Sequence, residues 1–165
     1  MAKRKINPSD LIEKIEKLTK SRMASQDVVP LESFRELKNK IDPKIILVIE
    51  DDETMRAAMK KIFEMDGFLV KLAADGSELS QVLDSTPPDL ILLDIGLPWL
   101  NGFELGQMLK EHRELKRIPL VFVSGKTSEE DIKRAFEIGA DDFIKKPFDI
   151  DKLKKTVATL LKISR

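Results

Sequence analysis

The sequence contains no cysteine and a single histidine, His112. Without cysteine there are no disulfide bonds and no thiolate metal sites. His112 lies in the charged stretch 110–114 and is interpreted as a solvated residue at a helix end. No other histidine is available for a Ser-His-Asp triad or for a histidine-based metal site.

The sequence also lacks an excess of charge of one sign, and it lacks long hydrophobic runs. The 29 basic and 29 acidic residues cancel, which argues against a dedicated nucleic-acid-binding protein because phosphate contacts need a basic excess. Apolar runs stay far below the roughly 20 residues of a membrane-spanning helix. The basic start at residues 3–5 is followed by a polar segment, unlike a secretory signal. We therefore expect a cytoplasmic protein without direct nucleic-acid or membrane contacts.

From Lys44 onward, short apolar segments typical of buried strands alternate with amphipathic segments typical of helices. Helices between consecutive strands imply parallel strands with right-handed crossovers. Five such units predict a flavodoxin-like (βα)5 doubly wound parallel sheet of order 2-1-3-4-5, with a site at the carboxyl ends of the strands. The predicted strands are residues 45–49, 68–72, 90–93, 120–123 and 142–146.

The helices between the strands begin with recognisable capping patterns. Asp75–Glu78, Asn101–Glu104 and Thr127–Glu130 have the spacing of a capping box, in which two residues satisfy each other's backbone N–H groups. Apolar residues at helical spacing follow each start. This periodicity predicts that Met108 and Phe136 lie on the buried faces of their helices.

Residues 1–43 differ from the rest, and we predict a helical extension and linker there, ahead of a domain over residues 44–165. Two short amphipathic patterns carry narrow apolar stripes. A stripe can pack on the main domain or contact a partner, so a homodimer is possible. The stripes consist of Leu11, Ile15 and Leu18, and of Leu31, Phe34, Leu37 and Ile41.

Charged and polar side chains stand at the ends of four predicted strands. Glu50 and Asp51 follow the first strand, Asp94 the third, Ser124 the fourth and Lys146 the fifth. The carboxyl ends of parallel strands share one edge of the sheet, so these side chains are expected to converge. Taken alone, Asp94 could equally be a turn aspartate that caps a strand end.

Together these residues predict a phosphoryl-transfer site. Three carboxylates repel one another unless a counter-ion is present, and hard oxygen ligands suit Mg²⁺. An aspartate can attack phosphorus to form an aspartyl phosphate, and Lys146 would neutralise the added charge. The Ser124 hydroxyl can donate to a phosphoryl oxygen, and Gly125 beside it leaves room.

These residues lie in four segments: residues 46–53, residues 92–98 with Asn101 and Gly102, residues 123–125 and residues 145–148. The four segments resemble the receiver domain of two-component response regulators, and the resemblance extends over about residues 44–163. The resemblance implies that Asp94 is the phosphoacceptor in a phosphorelay, supplied by a histidine kinase or a phosphotransfer protein. It also implies that Glu50, Asp51 and the backbone carbonyl of Gly96 join Asp94 as Mg²⁺ ligands.

The resemblance implies further roles on the fourth and fifth strands. Lys146 would pair with the phosphoryl group, and the peptide bond to Pro147 would be cis. Ser124 and Phe143 would form the switch pair, in which the hydroxyl turns toward the phosphoryl group and the ring fills the vacated space.

The resulting expectation is a stand-alone receiver that acts on an unknown downstream protein. It is a signalling protein and not an enzyme, apart from assisting its own phosphorylation and dephosphorylation. One alternative is a Mg²⁺-dependent phosphohydrolase, which commonly has an acid/base carboxylate two residues after its nucleophile, where this chain has Gly96. The other is an interaction scaffold that is never phosphorylated, for which the acidic cluster would serve no purpose.

Overall fold

The computed structural model describes residues 42–163, together with Ser9, residues 12–17, Leu31 and Ser33 of the segment before them. The chain divides into two compact units, Met1–Pro43 and Lys44–Arg165. In the first unit, residues 12–17 are helical. Of the predicted apolar stripes only two members, Ile15 and Leu31, belong to the described residues.

The second unit is a five-stranded parallel sheet of order β2-β1-β3-β4-β5 with a helix after every strand. This confirms the predicted flavodoxin-like fold. No helix among the described residues is long and apolar enough to cross a membrane. The elements are β1 (Ile45–Ile49), α1 (Glu53–Met65), β2 (Leu69–Ala73), α2 (Gly76–Ser85), β3 (Leu90–Leu93), α3 (Gly102–Glu111), β4 (Leu120–Ser124), α4 (Glu129–Ile138), β5 (Asp142–Lys145) and α5 (Ile150–Ile163).

Helices cover both faces of the sheet, so the central strands β3 and β4 are buried throughout. Every residue of β3 and β4 is buried, which explains their unbroken apolar sequence. Alternate strand residues pack against α1 and α5 on one face and against α2, α3 and α4 on the other. With both faces covered, polar side chains collect at the sheet edge where the strands end.

The start of α4 differs from the prediction by one residue. Ser128, not Thr127, is the N-cap. Its Oγ accepts the backbone N–H of Asp131 at 3.1 Å and donates to the Asp131 carboxylate at 2.7 Å. In the sequence, Thr127 with Glu130 and Ser128 with Asp131 have the same spacing, and the two patterns overlap. The prediction of Thr127 with Glu130 was wrong, because these two hydrogen bonds place the cap at Ser128, with Asp131 as its partner.

The prediction that Met108 and Phe136 are buried was also wrong. Met108 is 60 % exposed and Phe136 is 48 % exposed. Each helix of this size presents only a narrow stripe to the sheet. On α4 the buried contact is Ala135, and the next residue is rotated by about 100° around the helix axis. Phe136 therefore faces away from the sheet even though its sequence spacing fits an apolar face.

Candidate functional site

Three acidic side chains meet at the carboxyl end of the sheet. Ile49 and Leu93 are register partners on neighbouring strands, so Glu50 and Asp94, the next residues, emerge side by side. Asp51 follows in the turn after β1. One carboxylate oxygen from each of the three acids lies within 4.8 Å of the other two. The structure thus brings together the three carboxylates that were predicted to converge.

Lys146 provides the cation of this cluster. It follows β5, and its Nζ lies 2.5 Å from Oε2 of Glu50 and 3.6 Å from Oδ2 of Asp94. Its backbone N–H donates to the carbonyl of Ser124 at 2.9 Å, which fixes the start of its side chain. The peptide bond between Lys146 and Pro147 is cis.

One lysine does not fully compensate the carboxylates. The pKa of Glu50 is raised, chiefly because burial disfavours its charged form and also because the negative charge of Asp94 lies nearby. Hydrogen bonds from Lys146 and from the backbone N–H of Asp52 act in the opposite direction, but they do not offset burial. Glu50 therefore carries its charge at a cost, and a further cation in the cluster would reduce this cost.

The turn between β1 and α1 sets the direction of Glu50 and Asp51. Asp52 is the N-cap of α1, and its Oδ1 accepts the N–H of Met55 at 2.7 Å. Its carboxylate thus serves the helix. Arg56 reaches back from α1, and Nη1 donates to the carbonyl oxygens of Glu50 at 2.9 Å and of Asp51 at 2.5 Å.

The loop after Asp94 lies tightly against the start of α3. The N–H of Gly96 donates to Oδ1 of Asp94 at 3.3 Å, and the N–H of Gly102 donates to the carbonyl of Ile95 at 3.0 Å. A Cβ at residue 102 would lie 2.3 Å from the carbonyl oxygen of Asp94. Only glycine allows this approach, so Gly102 contributes to the position of Asp94.

The predicted switch residues, Ser124 and Phe143, lie on β4 and β5. Ser124 ends β4 and is 1 % exposed, and its Oγ accepts the backbone N–H of Lys126 at 3.1 Å. Gly125 between them is exposed, and a Cβ built there would meet no atom within 4 Å. Phe143 on β5 is buried at 8 % exposure, with its ring centroid 6.5 Å from that of Phe122.

Sequence reasoning assigned no role to Arg56 and none of its own to Gly102. Arg56 stands four residues after Asp52 in an ordinary amphipathic helix, and such an arginine is typical of a solvated helix face. Gly102 belongs to a segment that carries the resemblance, and the resemblance assigns it no role of its own. The one available signal for Arg56 is its distance of a single helical turn from the helix start, which brings a long side chain near the preceding turn.

Comparison with known proteins agrees with this geometry. The family model described as the response regulator receiver domain matches residues 46–158. The aerobic respiration control protein ArcA of Escherichia coli is 40 % identical over 116 residues, which cover 70 % of this chain and 48 % of that protein. The transcriptional regulatory protein CpxR of Escherichia coli is 34 % identical over 119 residues, covering 72 % of this chain and 50 % of that protein. The chain thus spans about half the length of these curated relatives.

Solved structures show the same similarity. The receiver domain of a signal transduction histidine kinase from Syntrophus aciditrophicus has a TM-score of 0.67 at 34 % identity, covering 74 % of this chain and 93 % of that one. A response regulator structure from Chloroflexus aurantiacus has a TM-score of 0.68 at 27 % identity, covering 73 % of this chain and 99 % of that one. The chain belongs to the family of response regulator receiver domains.

Proposed function

We propose that residues 44–165 form a phosphorylation-switched receiver in which Asp94 accepts a phosphoryl group. The proposal rests on the convergence of Glu50, Asp51 and Asp94 within 4.8 Å, with Lys146 as the cation beside them. The donor would be the phosphohistidine of a histidine kinase or of a phosphotransfer protein. Residues 1–43 would form a helical extension, and the output would be an altered contact with a downstream protein.

The cluster fits Mg²⁺ because three carboxylates offer hard oxygen ligands and one lysine does not balance their charge. Glu50, Asp51 and Asp94 would hold the ion, with the backbone carbonyl of Gly96 as a further ligand. When bound, Mg²⁺ would supply positive charge for the phosphoryl oxygens. Asp94 stands beside Glu50 at the sheet edge and is 8 % exposed.

The chemical step is an in-line displacement at phosphorus. A carboxylate oxygen of Asp94 forms the new P–O bond while the P–N bond of the donor breaks, and the electron pair of that bond stays on the imidazole nitrogen. Lys146, now 3.6 Å from Asp94, would shift from Glu50 to a phosphoryl oxygen. The chain would thereby position the nucleophile and neutralise charge, and these two effects account for most of the protein's contribution to phosphoryl transfer.

The switch would follow from the same addition. The Ser124 hydroxyl, which now accepts the N–H of Lys126, would turn to donate to a phosphoryl oxygen. Phe143 on the neighbouring strand β5 would adjust its packing against Phe122, and the surface of α4, β5 and α5 would change. Phosphorylation has to favour one of two conformers by a few kcal/mol for this response to be substantial.

Two other functions are less well supported by the same site. A phosphohydrolase would have a carboxylate where this chain has Gly96. An unphosphorylated scaffold would carry a buried Glu50 with a raised pKa and gain nothing from it. The chain would therefore not be an enzyme beyond assisting its own phosphorylation and dephosphorylation.

Intact mass after incubation with acetyl phosphate, with and without Mg²⁺, tests the proposal. We expect the gain of one phosphoryl group, dependent on Mg²⁺ and lost in Asp94→Asn. The matched control is Asp52→Asn, because Asp52 is a nearby acid used as a helix cap and asparagine caps equally well. Equal phosphorylation of the Asp94→Asn variant, or no phosphoryl gain and no phosphate release under any condition, would refute the proposal.

A further inference from the structure

The Arg56 side chain bonds two of the three carbonyl groups in the turn that carries two of the carboxylates. Its Nη1 donates to the carbonyl oxygens of Glu50 and Asp51. We infer that Arg56 is a positioning residue, which holds this turn so that the carboxylates of Glu50 and Asp51 face Asp94. The inference rests on the proposed metal site.

The turn needs such a restraint because it leaves the sheet before the helix begins. Only three residues separate β1 from α1. The N–H of Glu50 is paired with the carbonyl of Ala73 at 3.2 Å, whereas its carbonyl oxygen is bonded by the Arg56 guanidinium. The Asp51 side chain is exposed, so its direction depends on the backbone conformation that Arg56 holds.

Hydrogen bonds from a guanidinium are well suited to this task. The donor is charged at every working pH, and hydrogen bonds from a charged donor are stronger than those between neutral groups. Partners that orient metal ligands without touching the metal are worth about 10–100-fold in metal affinity. Removal of the Arg56 donors is expected to loosen two ligands at once, so the effect on Mg²⁺ affinity falls in that range.

The direction in which Mg²⁺ affinity changes on removal of the Arg56 side chain distinguishes a positioning role from a purely electrostatic role. If Arg56 acted only through its positive charge, its removal would strengthen Mg²⁺ binding, because like charges repel. If it positions the turn, its removal weakens Mg²⁺ binding. The two roles therefore predict opposite shifts in the dissociation constant.

Isothermal titration of Mg²⁺ into the whole protein measures this shift. We expect Arg56→Met to raise the dissociation constant by about tenfold or more. Arg56→Lys keeps a charged donor and is expected to recover most of the affinity. The matched control is Lys60→Met, which removes the same charge one turn further along α1, where the lysine side chain is 48 % exposed; its dissociation constant should stay within about twofold of wild type.

The rate of phosphorylation by acetyl phosphate, measured at several Mg²⁺ concentrations, gives a second readout. In Arg56→Met the half-saturating Mg²⁺ concentration should rise, while the maximal rate at high Mg²⁺ returns close to that of the unmodified protein. A loss of helix stability alone would not raise the half-saturating Mg²⁺ concentration while leaving the maximal rate unchanged. Urea unfolding without Mg²⁺ checks that the variant is folded, and Arg56→Gln replaces it under the same criteria if it is not.

Mg²⁺ binding to the Arg56→Met variant that equals or exceeds wild-type affinity would overturn the inference and leave the proposed function standing. A lower maximal rate at an unchanged half-saturating Mg²⁺ concentration would overturn it as well. Failure of the wild-type protein to bind Mg²⁺ would overturn both the proposed metal site and the positioning role.

Discussion

Replacement of Lys146 by alanine should destabilise the metal-free protein, and Mg²⁺ should reverse most of the loss. Lys146 lies 2.5 Å from Glu50 and 3.6 Å from Asp94, whose side chains are 3 % and 10 % exposed. Breaking a fully buried ion pair by removing one partner costs about 3–5 kcal/mol. The Lys146 side chain is 20 % exposed, so solvent screening lowers this figure.

An upper bound comes from protonation of Glu50. At pH 7, a glutamate with an ordinary pKa of about 4.3 can take up a proton at a cost of about 4 kcal/mol, and the raised pKa of Glu50 lowers this cost. The loss of the Lys146–Glu50 ion pair therefore cannot cost more than the protonation of Glu50. We therefore expect Lys146→Ala to lower the free energy of unfolding by about 2–3 kcal/mol without Mg²⁺.

The Mg²⁺ dependence provides the sharper test. A divalent cation would replace the missing lysine charge in the variant, whereas in the wild-type protein it has to compete with Lys146 for Glu50. Mg²⁺ should therefore raise the free energy of unfolding more in Lys146→Ala than in the wild type.

Urea unfolding at low ionic strength, with and without Mg²⁺, measures both quantities. Lys145→Ala is the matched control, because Lys145 is the preceding residue of β5 and is exposed. The reasoning is wrong if the two alanine variants lose equal stability, or if Mg²⁺ leaves the deficit of Lys146→Ala unchanged.

Three further predictions concern the packing that supports the site. Gly106→Ala should destabilise the fold by about 1–2 kcal/mol in urea unfolding, because its Cβ would lie 2.7 Å from Cζ of the buried Phe122; a variant as stable as wild type would contradict this. Gly102→Ala should abolish phosphorylation or folding, measured by intact mass and circular dichroism, since its Cβ would lie 2.3 Å from the Asp94 carbonyl oxygen; normal phosphorylation would count against the close approach. Asp75→Ala should cost about 1 kcal/mol by thermal unfolding through loss of the α2 cap, whereas Asp75→Asn should cost much less.

The α/β fold could be predicted because its signals are local. Apolar runs of four or five residues mark the buried strands, and residues such as Asp75 and Asn101 cap the helices where expected. Parallel order then follows from the alternation of strands and helices. The convergence of the strand-end carboxylates could be predicted as well, because the carboxyl ends of parallel strands lie on the same side of a sheet.

Packing details could not be predicted because they depend on side chains that are distant in sequence. Met108 and Phe136 fit a helical period, yet the sheet contacts only a narrow stripe of each helix. Gly106 lies inside a helix, where no local pattern calls for glycine, and the ring of Phe122 leaves no room for a Cβ there.

The sequence by itself determined which chemical groups stand at the strand ends, since strand periodicity and turn residues act over a few neighbours. Only the tertiary structure decided how these groups meet. Lys146 contacts Glu50 across 96 positions of the chain, and Arg56 turns back from α1 to bond two carbonyl groups of the preceding turn. Such contacts follow from side-chain directions and from distances of a few ångströms, which no local pattern specifies.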